Sequence, residues 1–378
     1  MVEWKKLGEV ANLVRGKVIS KDYIRDFEGE YPVYSSQTAN DGILGYIKSY
    51  MFDGDYLTWT TDGAYAGTIF RRKGKFSITN VCGLIDITDS NVHQDFLYFW
   101  LSKTAKNYVL EGMGNPKLMS NVASTIHIPI PSLQEQNRIV GILDTFTASI
   151  DNLKEQIAQR RKQYEYYRDQ LFYASKADLL EASKRGEVIV KSLDDLGTFT
   201  RGRRFVRTDI VPEGVPCIHY GDMYTYYGVS AEETPTHLTK ELSSKLRFAK
   251  NGDVVIVAAG ENDLDIGVGV AWLGKEPVVV HDACFIFEHE QNPKYLSHFM
   301  RSRNYHQQIR MGVVDGKICS ISAKELGRAL IAVPSLQEQQ RIVSILDTFE
   351  ASIQNLEAQL SQREKQYEYY RNKLLTFE

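Results

Sequence analysis

The sequence predicts an α+β chain of two small β-rich heads, each followed by a long helix, in the order head–helix–head–helix. Three observations carry this. A segment of some 40 residues occurs twice, from Pro131 to Leu171 and from Pro334 to Leu374, with roughly three-quarters of its positions identical and no gap. A repeat outranks local signals, because overlooking one misassigns the whole fold. Inside both copies, apolar residues recur at alternating steps of four and three, which makes one continuous stripe along a helix. Outside them, short β-branched and aromatic runs alternate with turns of Gly, Asn and Asp, the pattern of strands in a small sheet.

Residues 1–130 make the first head. Leu7-Gly8-Glu9-Val10 is followed by Arg15-Gly16-Lys17, and Tyr31-Pro32-Val33-Tyr34 and Gly54-Asp55-Tyr56-Leu57 lead into extended runs such as Tyr56–Thr60 and Val81–Ile87. Phe96-Leu97 starts a short amphipathic helix, and the loop Gly112-Met113-Gly114-Asn115-Pro116 precedes Lys117. The first helical region, 131–185, opens with Ser132 and Glu135, the spacing of a capping box, with Pro131 ending the strand before it. Its stripe is Ile139, Leu143, Phe146, Ile150, Leu153 and Ile157, then Tyr164, Tyr167 and Leu171, with Arg160 taking one step. A break near Asp144-Thr145 would divide it into a short helix and a long one.

Residues 186–333 make the second head, a distant copy of the first. Leu193-Asp194-Asp195-Leu196, Arg201-Gly202-Arg203-Arg204, Val215-Pro216-Cys217-Ile218, Gly252-Asp253-Val254-Val255 and Tyr295-Leu296 fall in the same order. Val254–Val257, Val278–Val280 and Ala283–Phe287 read as strands, and Lys317 again follows a glycine-containing loop. Each head is expected to be a strongly bent sheet with one or two packed helices. The heads differ most in two pairs of loops, 35–46 against 219–229 and 58–68 against 258–268. The second helical region, 334–378, repeats Ser335, Glu338 and the stripe Ile342, Leu346, Phe349, Ile353, Leu356 and Leu360, with Arg363 at the odd step and Asp347-Thr348 at the matching break. Neither stripe can be buried alone, and the natural partner of each is the other. A two-fold axis relating the two head–helix units makes the pair an antiparallel coiled coil.

Composition narrows the function classes. The chain has 378 residues, 25% charged and 43% hydrophobic, the profile of two or three soluble domains. No run approaches the ~18 apolar residues of a membrane span, and the N-terminal MVEWKKLGEVANLVRGK lacks an apolar signal core, so a cytoplasmic location is expected. The four cysteines, Cys82, Cys217, Cys284 and Cys319, lack C-x-x-C spacing, so reduced buried thiols are expected and no metal. Net charge is −3, with 14 basic and 14 acidic residues in 1–130 and 17 basic and 19 acidic in 186–333, which neither supports nor excludes nucleic acid.

Catalytic motifs are missing. Asn115-Pro116-Lys117 lacks the second proline and aromatic that an amino-methyltransferase needs to hold a flipped base. Gly267-Val268-Gly269-Val270-Ala271-Trp272 lacks the third glycine of a dinucleotide loop. There is no GxxxxGK[ST] phosphate loop, GxSxG or HExxH. The chain is expected to be no enzyme and to use no cofactor.

The PSLQEQ-x-RIV-x-ILD opening, the heptad helix ending in KQYEYYR, and their double occurrence resemble the specificity subunit of Type I restriction-modification systems over essentially the whole chain. The resemblance implies that 1–130 and 186–333 are target recognition domains, each reading one half of a split double-stranded DNA sequence. It implies that the conserved helices set the gap between the halves and dock two adenine methyltransferase (modification) subunits, through which restriction subunits join. A helix from Phe146 to Ser175 spans roughly 45 Å, about 13 base pairs of DNA, which suits half-sites about one turn apart.

Base reading needs bidentate donors and acceptors, and phosphate contact needs cations, hydroxyls or backbone N–H groups. The candidates for DNA binding in head one are Arg15, Lys17, Ser35, Ser36, Gln37, Thr60, Thr61, Arg71, Arg72, Lys73 and Lys75. In head two they are Arg201, Arg203, Arg204, Arg207, His219, Tyr220, Asn262 and Lys317. The recurrence of Arg-Gly-basic at one place in both heads singles out Arg15, Lys17, Arg201, Arg203 and Arg204. Each candidate has a plainer alternative as a solvated charge or turn residue. Tyr164, Tyr166, Tyr167, Tyr367, Tyr369 and Tyr370 are candidates for partner docking, against simple helix packing. The competing function is a non-catalytic two-headed scaffold that binds protein or carbohydrate; such a scaffold has no need of matched Arg-Gly-basic turns.

Overall fold

In this computed structural model, residues 2–112 and 114–377 are described. Met113, in the glycine loop of head one, lies outside them. The chain divides into two compact units, Met1–Leu153 with Gln359–Glu378, and Lys154–Ala358. Each unit therefore holds one head, half of its own long helix and half of the other. No helix among the described residues is long and apolar enough to cross a membrane.

Head one is built on a six-stranded sheet in the order Ala11–Arg15, Cys82–Ile87, Phe52–Thr60, Ile69–Ile78, Glu28–Tyr34, Ile43–Ile47. All neighbours are antiparallel except Glu28–Tyr34 beside Ile69–Ile78, where Val33 pairs with Ser77. Glu3–Lys6 pairs antiparallel with His127–Ile130, which brings the two ends of the head together where the long helix begins. The core combines Leu57, Trp59 and Ile85 of the sheet with Phe96, Phe99 and Trp100 of the helix Gln94–Thr104, Ile139 and Leu143 of the first long helix, and Leu375 beyond the second. Trp59 fits because Gly83 lies beneath it; a Cβ there would sit 2.3 Å from the indole ring. Both core indoles donate to backbone carbonyls, Trp59 to Leu118 at 2.9 Å and Trp100 to His127 at 2.8 Å.

Head two replaces the single sheet with two of five strands. One runs Gly197–Arg201, Cys284–His289, Val254–Val257, Gly269–Trp272, Ser230–Ala231; the other runs Ile210–Val211, Thr236–Leu238, Val215–Ile218, Val278–Val280, Phe248–Ala249. The division has a local cause. Ile69–Ile78 runs unbroken in head one, but its counterpart stops at Trp272 and resumes at Val278. Gly274 and Pro277 lie between, and proline cannot donate to a ladder. Trp272 folds over Gly274 and donates to the Glu276 carbonyl at 2.9 Å, fixing the bend. Val190–Ser192 pairs with Leu330–Ala332, closing head two as head one is closed.

The long helices run unbroken over Leu133–Leu171 and Leu336–Leu374, so the breaks expected near Asp144 and Asp347 do not occur. Hydroxyls there bond inside the helix, Thr145 to the Gly141 carbonyl at 2.7 Å and Thr348 to the Ser344 carbonyl at 2.9 Å. Asp144 and Asp347 point to their heads instead, toward Arg71 at 3.0 Å and Lys294 at 2.6 Å. Only half of each capping box forms. Ser132 and Ser335 accept from the Glu135 and Glu338 N–H groups, but both carboxylates turn to arginines one turn on, Arg138 and Arg341. The odd steps of the stripe gain a role. In unit one Phe146 stacks on Tyr370 at 5.3 Å with the Arg363 guanidinium 5.7 Å above it. In unit two Phe349 stacks on Tyr167 at 5.4 Å with Arg160 at 5.9 Å. Ile139, Leu143, Ile150, Leu153, Ile157, Ile342 and Leu346 are buried, while Ile353, Leu356 and Leu360 are partly so.

One glutamine in each repeat seats the head on the helix. Gln136 is fully buried; its Oε1 accepts the His93 N–H at 2.8 Å, and its Nε2 donates to the Asn91 and Pro131 carbonyls at 2.7 and 2.8 Å. Gln339 accepts from the Asn292 N–H at 3.0 Å and donates to Pro334 and Gln291. His93 and Asn292 are the N-caps of the head helices, so each glutamine takes one of the orphan N–H groups that a helix start leaves.

Candidate nucleic-acid interface

The Arg-Gly turns recur for a structural reason. A Cβ on Gly16 would lie 2.1 Å from the Ile78 carbonyl oxygen, and one on Gly202 would lie 2.2 Å from that of His281. Only glycine lets the turn pass this close to the neighbouring strand. The arginine before it closes the approach in both heads, Arg15 donating to the Asn80 carbonyl and Arg201 to the Asp282 carbonyl. Arg15 also reaches Thr61 Oγ1 at 3.3 Å, and Arg203 donates to the Lys245 carbonyl at 2.8 Å. Their recurrence therefore reports a shared turn before it reports a shared ligand.

Four head-one candidates are structural. Thr60 and Thr61 are fully buried; the Thr60 hydroxyl bonds to the Tyr65 carbonyl and accepts the Thr68 N–H. Arg72 is buried between the rings of Tyr34 and Phe70, at 3.7 and 4.3 Å, and donates to Thr58 Oγ1 at 3.2 Å and Asp41 at 2.7 Å. Arg71 clamps head to helix, pairing with Asp95 at 2.7 Å and Asp144 at 3.0 Å and lying over Tyr98. None of these side chains is free to meet a base. Alternation along one strand explains the two arginines, since Arg71 and Arg72 face opposite ways.

The remaining candidates keep exposure. Lys17, Lys73 and Lys75 are exposed, Lys73 3.8 Å from Asp55 and Lys75 over the Tyr50 ring at 4.8 Å. Ser35, Ser36 and Gln37 lie in a half-buried loop tied by Gln37 to the Ile43 carbonyl. Arg72 anchors this loop through Asp41, where Asn40, Asp41 and Gly42 all take positive φ. Asn262 caps a short turn by accepting the Leu264 N–H at 3.1 Å, and Lys317 is exposed on its own loop; neither joins the other head-two candidates.

Arg204, Arg207, His219 and Tyr220 do come together. They line an open cleft of about 880 Å³ in head two, with Phe205, His281, Asp222 and Asp282. His219 lies 4.5 Å from the Tyr220 ring and 5.0 Å from His281, and Phe205 lies 4.9 Å from His281. His281 is buried, with Nε2 donating to the Phe205 carbonyl at 3.0 Å and Nδ1 accepting the Ala283 N–H at 3.1 Å. Burial holds both histidines below their ordinary pKa, with Arg207 adding to the effect at His219 and Arg204 at His281. His281 and Phe205 were not singled out from the sequence, although His281 follows the strand that Gly202 abuts.

The tyrosines divide. Tyr164 is buried, its hydroxyl 3.0 Å from His298 Nδ1 and 3.3 Å from Glu350, a packing role within unit two. Tyr367 is half-buried against the core of unit one, and Tyr167 and Tyr370 are committed to the stacks above. Tyr166 and Tyr369 are exposed, and Tyr167 and Tyr370 are also exposed beside their stacks. The cysteines are buried and free, with burial pushing the Cys217 thiol up to about 11 and Cys82 and Cys284 up to about 12.

A family model described as Type I restriction modification DNA specificity domain matches residues 1–160 and again 186–364. The chain belongs to this family. It is a Type I restriction-modification specificity subunit by this double match, as the paired repeat implied. A putative type I specificity subunit from Mycoplasma pneumoniae is 29% identical over 373 residues, covering 98% of this chain and 96% of the relative. Among solved structures, the Type I restriction-modification S subunit from M. genitalium is similar with TM-score 0.63 and 16% identity, covering all of this chain and 97% of that one. A subunit from a structure of type I restriction-modification complex assembly is similar with TM-score 0.58 and 16% identity, covering 99% of this chain and 96% of that one. At such identities the two structural likenesses speak for the fold.

Proposed function

We propose that this specificity subunit reads a bipartite double-stranded DNA target, one half with each head, and leaves the chemistry to its partners. The observation that carries the reading is constancy of helix beside divergence of head. The same aromatic stack, Phe146 on Tyr370 and Phe349 on Tyr167, closes both units, while the loops 35–46 and 219–229 share little. In this reading the target recognition domains are 1–130 and 186–333. The helical regions 131–185 and 334–378 form an antiparallel coiled coil with pseudo-two-fold symmetry, which sets the spacer. Two methyltransferase subunits dock on that frame, with Tyr166 and Tyr369 as exposed contacts, and restriction subunits join through them. DNA contact falls to the accessible candidates: Lys17, Ser35, Ser36, Lys73 and Lys75 in head one, and Arg203, Arg204, Arg207, His219, Tyr220 and Lys317 in head two. Lysines serve phosphates as point charges, and the paired donors of head two suit base edges. A net charge of −3 assigns much of the phosphate neutralisation to the partner subunits.

Methylome sequencing of cells that express the chain with its methyltransferase tests this. The expected result is one methylated adenine in each half of a split motif; an unsplit motif, or none, refutes it. Inserting four residues after Ile157 and after Leu360 lengthens the helices by about 6 Å and should widen the spacer by one or two base pairs.

A further inference from the structure

The head-two cleft carries more than an accessible patch, because three of its side chains hold unused hydrogen-bond donors. Arg204 and Arg207 are exposed, and among the described residues neither side chain has a hydrogen bond or ion pair. The turn they belong to is already held by Arg201 and Arg203, which donate to the Asp282 and Lys245 carbonyls. They are surplus to folding. His219 accepts the Gly221 N–H through Nδ1 at 3.3 Å, which leaves its proton on Nε2 with no partner among the described residues. Its ring is held from behind by His281, whose two nitrogens are both engaged. The cleft therefore offers three donors on a rigid aromatic wall.

Its acidic groups differ. Asp222 accepts the Thr236 hydroxyl at 3.0 Å. The Asp282 carboxylate stands 3.1 Å from His281 Nδ1, which accepts the Ala283 N–H and has no proton to give, so Asp282 stays in the cleft as a negative charge. Two guanidiniums against two carboxylates leave the cleft close to electroneutral, a poor match for a phosphate. A neutral base edge with two adjacent acceptors suits it better, and in the major groove guanine alone presents that edge, through N7 and O6. Head one has no counterpart: Ser35 and Thr79 occupy the places of His219 and His281, and Val18 follows Arg15-Gly16-Lys17 where Arg204 follows Arg201-Gly202-Arg203.

We propose that this cleft is a guanine-reading site in head two, with His219 and the arginines Arg204 and Arg207 donating to the N7 and O6 edge of one guanine in its half of the target. The proposal rests on the DNA-reading function above and names the base class for one head.

The test uses the full-length chain in complex with its methyltransferase and a duplex carrying the motif from methylome sequencing. Each guanine is replaced singly by 7-deazaguanine, and each adjoining phosphate by methylphosphonate, and binding is compared for wild type, H219A and R207A. The expected result is one guanine whose replacement weakens wild-type binding about tenfold and either variant less than twofold. R207A changes an exposed side chain, so it remains informative should H219A fold poorly. A head-two half without a G·C pair overturns the proposal. So does a variant that weakens all duplexes equally and responds to methylphosphonate instead, which makes the ligand a phosphate. If wild type does not separate its motif from a scrambled duplex, the DNA-reading function itself fails.

Discussion

Gln136→Glu isolates how head one is seated on its helix. The substitution keeps shape and volume and changes one amide nitrogen to oxygen. The Oε1 contact to the His93 N–H, 2.8 Å, survives. The other oxygen now faces the Asn91 and Pro131 carbonyls, at places where an N–H group stood 2.7 and 2.8 Å away. Leaving a buried acceptor without its donor costs about 1–3 kcal/mol, so two cost roughly 2–6 kcal/mol before like dipoles are counted. The carboxyl responds by holding a proton, since burial beside carbonyls disfavours its charged form. A protonated carboxyl restores one of the two donors. Its folded pKa then lies above its ordinary value of about 4.3, so the native state binds the extra proton between those limits. Stability relative to wild type falls as pH rises through that window and is level above it. Urea unfolding followed by tryptophan fluorescence reads this, because Trp59 and Trp100 lie in the same core. We expect a loss of about 3 kcal/mol or more at pH 8 and a smaller loss at pH 5. A variant within 0.5 kcal/mol of wild type at pH 8, or with equal losses at both values, refutes the reasoning (0.5 being about the noise of such comparisons).

Other outcomes follow from single contacts. Leu375 is buried in the core of unit one, so Leu375→Ala should cost about 2–5 kcal/mol in the same assay, and Leu374→Ala, only half-buried, clearly less. Arg72→Lys cannot span Thr58 and Asp41 together; hydrogen exchange should quicken across residues 35–42, with a stability loss of about 1–3 kcal/mol. Burial takes His289 down to about 4, with Nδ1 accepting the Gln291 N–H. The folded state thus holds this histidine neutral, and its contribution is full above the ordinary pKa of about 6.5 and lost as pH falls toward 4. Wild type should lose about 2 kcal/mol more than His289→Phe between pH 7 and pH 5.

The helices were legible because their evidence was internal: the two copies fixed each other's boundaries, and the stripe fixed the buried side. Arg160 and Arg363 read as faults in that stripe, since a linear pattern cannot say that a guanidinium will lie over a phenylalanine of the other copy. The candidate site was less legible. Thr60 and Thr61 looked like a polar loop start, but the closure of that turn over Val81 and Leu118 buries them. Arg71 and Arg72 looked like a basic run, yet a strand sends neighbours to opposite faces and each found a carboxylate distant in sequence. The Arg-Gly turns recurred as read, for a backbone reason that no motif encodes. The cleft was half seen: Arg204, Arg207, His219 and Tyr220 were named singly, while His281, which orders them, became visible only when the strands were paired.

Unit one is assembled from residues far apart in the order of synthesis. Its sheet and helix are made first, but Leu375 and Phe377, which meet Phe96 and Trp100, are made after all of unit two. At about 5–20 residues per second, the ribosome spends roughly 10–40 s on the roughly 200 residues of 154–358 before that core can close. The head made first is therefore completed last. A chain that stops before Leu375 holds every residue of the second unit while its first still lacks the side chains that close its core.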